Sequence, residues 1–301
     1  MSVRCVVAFV VMAAGLTPAA MAQRGNRDID GIWTNGYATP MERPRNLGDQ
    51  AFYSEAEVAA FEKAMPERPG PAADPVADPE VWWERATRSV SSRRTSMVTD
   101  PVDGRIPALT AAAQKRMADV RAENRKHPDS GPEDRSLMER CIVSPVGGPV
   151  PMLPGPYNNN YQILQTPGYV IIVIEMIHDV RIVRLDGSPH LGPGVRQRLG
   201  DSVGRWDGDT LVVDTTNFRD RTRFRGADEN FHVVERFTRS GADTLLYQFT
   251  IDDPTAFSRG WTAEIPLGKS DGGMYEFACH EGNAAMVNML NTARPAEKKK
   301  Q

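Results

Sequence analysis

YVIIVIEMIHDVRIVR, residues 169–184, is the stretch on which the fold turns: an apolar, β-branched run that abruptly acquires Glu175, His178, Asp179 and Arg181. Laid out as one strand at ~3.3 Å per residue it would span roughly 50 Å, well beyond the usual strand length. A turn or bulge is therefore predicted near Ile177 to Asp179. Side chains alternate along a strand, so Val170, Ile172, Ile174 and Met176 should share one face, with His178, while Glu175, Ile177, Asp179 and Arg181 share the other. A turn resets that parity, which makes the assignment firm only up to Met176.

Working outward, the whole second half repeats this pattern. Alternating runs occupy residues 161–166, 169–176, 180–185, 204–206, 209–216, 231–239, 244–252, 261–267 and 274–280, separated by turns rich in Gly, Asp, Ser and Pro. Asp207-Gly208 is a two-residue hairpin signal. Eight or nine strands without intervening helices argue against a parallel α/β sheet. The expectation is a mainly β fold, an antiparallel barrel of lipocalin-like general shape. It is preferred to a sandwich because closing a long meander hides its edges.

The first half reads differently. Residues 1–22 have the form of a secretory signal peptide, with Arg4, an apolar core and small residues at Ala20 and Ala22, cut after Ala22. Removing Arg4, the leader's single charge, takes the formal net charge from −3 to −4. That balance does not suggest nucleic acid or an anionic membrane as partner, and no later apolar run is long enough to span a bilayer. Cys141 and Cys279 remain after cleavage, and in an oxidising compartment they read as one disulfide, with a metal site or reactive thiol as alternatives. Asp28 and the residues after it, DIDGIWTN, are placed to open the first strand around Trp33. Ser54-Glu-Ala-Glu57 is a capping box for a short helix ended by Pro66. A Pro- and Ala-rich linker covers residues 66–79, and the segment with Trp82 and Trp83 has no clear period. Thr110 caps a predicted helix over residues 111–126. The resulting division is a signal peptide (1–22), a partly helical, irregular N-terminal arm (23–150) and a barrel core (151–301), with the Lys298-Lys-Lys300 tail as a solvated end.

GDSVGRWDGDTLVVDTTNF (200–218), HVVERF (232–237), LYQFTIDDP (246–254) and ACHEGN (278–283) together resemble a widespread family of exported bacterial proteins known only as uncharacterised. The resemblance covers most of the mature chain, but it brings no residue role. Function has to be read from the side chains.

Gly200-Asp-Ser-Val-Gly204 fits G-x-S-x-G, yet a nucleophile elbow needs a helix after the serine, and Arg205 to Gly208 leads into a hairpin instead. Cys279-His280 cannot form a thiol–base pair if both lie on one strand, because neighbours point to opposite faces. The histidines, at 127, 178, 190, 232 and 280, lack helical zinc spacing; a site assembled from separate strands, such as His178, His190 and His232 with a carboxylate, stays open. In FHVVERF, Glu235 shares a face with Phe231, Val233 and Phe237. It must be ion-paired, with Arg181 or Arg236, or sit in a cavity with a raised pKa; the pair is the preferred reading. Asn158 to Asn160 after Tyr157 offer amides to a ligand at a barrel mouth, or cap the next strand.

Two functional classes follow. One is an exported enzyme needing neither metal nor cofactor, performing acid–base chemistry of lyase, isomerase or hydrolase type on a small amphipathic molecule. Its expected catalytic residues are His178, His232 and Glu235, with Arg181, Glu175, Tyr157 and Asn160 binding substrate. The other is a non-catalytic lipocalin-like carrier of a small apolar ligand. Both expect a chamber inside the barrel walled by Leu245, Tyr247, Phe249, Ile251 and Trp261. Oligomeric state and substrate identity are not encoded in any motif.

Overall fold

The computed structural model describes residues 27–64, 89–126, 131–144, 149–155, 157–219, 224–282 and 284–298. The signal peptide, the 66–79 linker, Trp82 and Trp83 lie outside the described residues. The described chain has ten strands: β1 (Gly31–Thr34), β2 (Val98–Asp100), β3 (Asn160–Thr166), β4 (Tyr169–Ile174), β5 (Val180–Arg184), β6 (Asp201–Asp207), β7 (Thr210–Thr216), β8 (Val233–Arg239), β9 (Thr244–Ile251) and β10 (Trp261–Lys269). Three helices accompany them: α1 (Glu55–Ala64), α2 (Ala111–Lys126) and α3 (Ala285–Lys298).

The strands pair in the order β1-β3-β4-β5-β6-β7-β8-β9-β10, and β1 returns to pair with β10, closing a nine-stranded barrel. Closure depends on how β10 shares its outer edge. β2 takes the part at Thr262 and Ala263, and β1 takes Gly268 and Lys269. Pro266 lies between these two stretches. Because the Glu264 N–H donates to Met97 O and alternate N–H groups face one edge, the proline nitrogen falls on the same edge, where neither short strand needs a donor.

One pairing departs from the antiparallel expectation: β5 and β6 run parallel. A parallel pair needs a crossover, here residues 185–200, which pass outside the barrel and bridge back at Gln197 to Phe218. The β6–β7 hairpin forms one residue later than the sequence signal, with Gly208 at φ 58° and Asp207 paired to Thr210. Residues 274–280, expected as a last strand, are irregular. Their partners are side chains and a disulfide instead of a ladder: the Tyr275 N–H donates to Glu175 Oε1 (3.0 Å), and Cys279 is bonded to Cys141 across a Cα separation of 5.9 Å. The helix α3 that follows takes in Lys298, expected as part of a solvated tail.

The predicted interruption after β4 is present. Met176–His178 forms a single 3-10 turn with Ile177 at φ 61° and His178 at φ 48°, a region costly for a β-branched residue. Burial of Met176 and Ile177 and the bond from Ile174 N–H to Asp179 O (2.8 Å) hold it. The turn resets the strand parity: Ile174 and Arg181, an odd number of residues apart, are both buried.

Large side chains fill the barrel. Leu245, Tyr247, Phe249, Ile251 and Trp261, expected to wall a chamber, are all 0% exposed and belong to the core cluster. Ring centroids stand 5.0 Å apart for Phe237 and Tyr247, 5.7 Å for Tyr247 and Phe249, and 5.6 Å for Phe249 and Trp261. A small barrel with this many inward aromatics packs solid, as protein interiors do.

Both predicted helix starts have their caps. Ser54 N–H donates to Glu57 (2.7 Å) while Glu57 N–H donates to Ser54 Oγ (3.3 Å) at α1, and the Ala113 N–H donates to Thr110 Oγ1 (3.1 Å) at α2.

Candidate functional site

The residues singled out in the sequence fall into three separate places. The first is inside the barrel. Arg181 from β5 and Glu235 from β8 form a bidentate pair with contacts of 3.0 and 2.5 Å, their side chains 1% and 0% exposed. Arg181 also donates to Pro149 O (2.9 Å), Ser202 Oγ (3.3 Å) and Thr215 Oγ1 (3.3 Å). Burial opposes the guanidinium charge, but Glu235 outweighs it and raises the Arg181 pKa. Tyr247 donates its hydroxyl to Glu235 (2.8 Å) and accepts the Met152 N–H (3.0 Å); burial, reinforced by Glu235, pushes its pKa well up and keeps it a donor. Ser202, the serine of the G-x-S-x-G motif, is thus a strand residue bonded to Arg181 and Thr215. The glycines of that motif are explained by packing. A Cβ at Gly200 (φ 71°) would meet Thr216 O at 2.8 Å, and one at Gly204 would meet Val183 at 2.7 Å.

The second place is the end of β3 and β4. Glu175 is buried and accepts the Asn160 backbone N–H (3.3 Å), the Asn160 side-chain amide (2.9 Å) and the Tyr275 N–H. Tyr157 stacks on Phe277, centroids 6.4 Å apart, and the exposed His178 places Nδ1 3.1 Å from Phe277 O. These groups dock the 274–280 segment on the barrel. Beside them, burial pushes the Asp179 carboxyl up to about 6 despite His178 and Arg198, and its Oδ2 is buried without a hydrogen-bond partner.

The third place is the outer wall formed by β6, β7 and β8. Asp214 Oδ1 lies 3.0 Å from His190 Nε2 and 3.1 Å from His232 Nε2. His190 Nδ1 is 3.1 Å from Asp201 Oδ2, Arg184 donates to both Asp201 oxygens (2.9 and 3.3 Å), and His232 Nδ1 stands 4.0 Å from Asp252. The result is a chain of alternating basic and acidic side chains, Arg184–Asp201–His190–Asp214–His232–Asp252, running from the buried Asp201 to the exposed Asp252. The bond to Asp214 raises His232 against the effect of its burial, and the same bond, outweighing burial, lowers Asp214. Burial pushes Asp201 up, but the Leu191 N–H, His190 and Arg184 together bring it below the carboxylate range. Of the strand-borne metal grouping, His190 and His232 meet one carboxylate and His178 does not join them. Among the described residues no group of three or more such side chains is arranged to hold a metal ion.

No hydrogen bond or ion pair joins these three places among the described residues, so His178, His232 and Glu235 do not form one constellation. The sequence reading groups His190 and His232 with a carboxylate but does not identify Asp214 or Asp201 as that partner. Asp214 is the one acid in the apolar strand TLVVDTT, paired with Val203 next to the motif's Gly204.

A cavity of about 750 Å³ lies at one end of the barrel, between α2 and residues 133–144 on one side and residues 149–153 on the other. Residues 149–153 separate it from the ion pair: Pro149 accepts from Arg181 and Met152 O from Asn35 Nδ2 (3.1 Å), while Pro149, Val150 and Leu153 line the cavity. Val120, Val143, Leu199, Phe218 and Phe224 supply apolar wall, and Arg135, Arg140 and Arg198 supply positive charge. α2 is held over the opening by Arg116, which donates to Gly226 O and Thr255 O (both 3.1 Å). None of the expected catalytic or substrate-binding residues lines this cavity.

Comparison with protein-family models, with curated proteins and with solved structures returns no match.

Proposed function

We propose that this protein binds a small amphipathic molecule in the cavity at the barrel end. The observation that carries the reading is the cavity itself, whose volume falls in the range of small-molecule sites and whose wall mixes aliphatic and aromatic side chains with a few charged ones. It is a carrier's arrangement, lipocalin-like in purpose, but with the ligand above a solid barrel instead of within it. The Cys141–Cys279 disulfide and the leader-like residues 1–22 support a periplasmic or secreted location. Among the described residues no helix is long and apolar enough to cross a membrane.

A second reading, acid–base catalysis without a cofactor, draws support from the outer-wall array. Asp214 held between two imidazoles is a carboxylate–histidine arrangement suited to proton transfer, and His232 is 32% exposed, open to a substrate. Glu235 and Arg181, by contrast, are paired with each other inside the barrel, closed to solvent.

A thermal-shift screen of purified protein against small aromatic, terpenoid and glycosidic metabolites, followed by product analysis, separates these readings. A ligand that raises the unfolding temperature and is recovered unchanged supports the carrier. Turnover abolished by His232→Gln supports the enzyme. Absence of stabilisation by every class overturns the cavity reading.

A further inference from the structure

The charged groups around the barrel-end cavity are not distributed evenly in depth. Asp119, Glu123 and Glu133 are exposed at its rim, whereas Arg135, Arg140 and Arg198 are half-buried. The acids are also mostly engaged: Asp119 pairs with Lys115 (2.6 Å), Glu123 with Lys126 (3.0 Å), and the half-buried Asp134 accepts the Gly131 N–H (3.1 Å). Among the arginines, Arg135 is committed to Glu139 (2.5 Å), and Arg198 acts electrostatically on Asp179. Arg140 makes no ion pair and no side-chain hydrogen bond among the described residues, although it lines the cavity beside apolar wall.

A half-buried guanidinium without a partner forgoes part of its hydration without compensation. Its planar fork matches a carboxylate bidentately, and such charge-assisted bonds strengthen as water is excluded. The anchoring of Arg140 is firm: its N–H donates to Ser136 O (3.1 Å), and the neighbouring Cys141 is bonded to Cys279. A cationic ligand would find Asp119 and Glu123 already paired with lysines and Glu133 exposed to water, where ion pairs contribute little.

Resting on the proposed cavity function, we infer that the ligand is an amphipathic anion, an apolar body bearing a carboxylate, and that Arg140 receives the carboxylate. The body then lies against Val143, Leu199 and Phe224.

Decanoate, decanol and decylammonium form a matched set of probes, sharing one tail and differing in head charge. Calorimetric titration into the wild-type protein, Arg140→Gln and Arg140→Ala tests the assignment, with unfolding temperatures checking that each variant folds. Decanoate is expected to bind about tenfold or more tighter than decanol, and either Arg140 variant to remove that advantage while leaving decanol affinity unchanged. Equal or tighter binding of decylammonium, or full decanoate affinity in both variants, overturns the inference and leaves the cavity reading standing. Failure of all three probes to bind the wild-type protein overturns both.

Discussion

Arg181 and Glu235 meet inside the barrel as a bidentate pair, reached from β5 and β8 and closed to solvent by residues 149–153. Removing one partner leaves the other buried and uncompensated. Glu235→Gln or Arg181→Met is therefore expected to lower unfolding stability by about 3–5 kcal/mol. The double variant Arg181→Met/Glu235→Leu should recover much of that loss. Urea denaturation of the four proteins checks it; single variants with wild-type midpoints would show that the pair is not what holds this layer.

Reduction of the disulfide should be costly. Cys141 and Cys279 are 138 residues apart in sequence, and closing a loop of that length constrains the unfolded chain by about 5 kcal/mol in the chain-entropy description. Cys141→Ser/Cys279→Ser is expected to lose up to that amount and to expose the 274–280 segment to proteases. An unchanged unfolding midpoint and cleavage pattern would contradict this.

The outer-wall array should give stability a pH window. His232 is raised in the folded state, so its contribution is complete below about 6.5, its ordinary value, and is lost as pH climbs through the raised one. Asp214 is lowered, so its contribution is complete above about 3.9 and is lost as pH falls through the lowered value. Denaturation midpoints measured across this range should show a maximum in mildly acidic solution that His232→Gln flattens on both sides. An identical profile in the variant would dissociate the array from stability.

Asp179 has the opposite sign. Burial raises its carboxyl to about 6, so the ionised form costs stability above that pH and not below the ordinary carboxylate range. Asp179→Asn should stabilise the protein at pH 7.5 and have little effect at pH 4. Destabilisation at pH 7.5 would mean that the charge has a partner the geometry does not reveal.

The meander was legible because each strand carries its own alternation and each turn its own Gly, Asp or Pro. The two helix caps were legible for the same local reason. What escaped was non-local. Closure of the barrel rests on β1 and β2 sharing the edge of β10, and the parallel β5–β6 pair depends on where residues 185–200 return. Residues 274–280 look like a strand, yet Glu175 and Cys141 hold them irregular, and no alternation pattern encodes a side chain from a hundred residues away. Helix α3 continues past Pro295, a residue that argues for a break. The Arg181–Glu235 pair was readable from charge on an apolar strand face. His190 reaching Asp214 was not, because a crossover loop carries it. Strand alternation points to a chamber inside the barrel, whereas inward aromatic rings fill that space and the opening forms where α2 and residues 133–144 cover its end.

Filling the cavity tests the central claim most directly. Val120 lies half-buried on α2 and faces the cavity, so Val120→Trp places an indole in the ligand's space while leaving the barrel untouched. Titration of the wild-type protein and this variant with a ligand found by screening should show affinity falling at least about tenfold, with the unfolding midpoint retained. Undiminished affinity in a folded Val120→Trp protein would contradict the account and place the ligand elsewhere on the molecule.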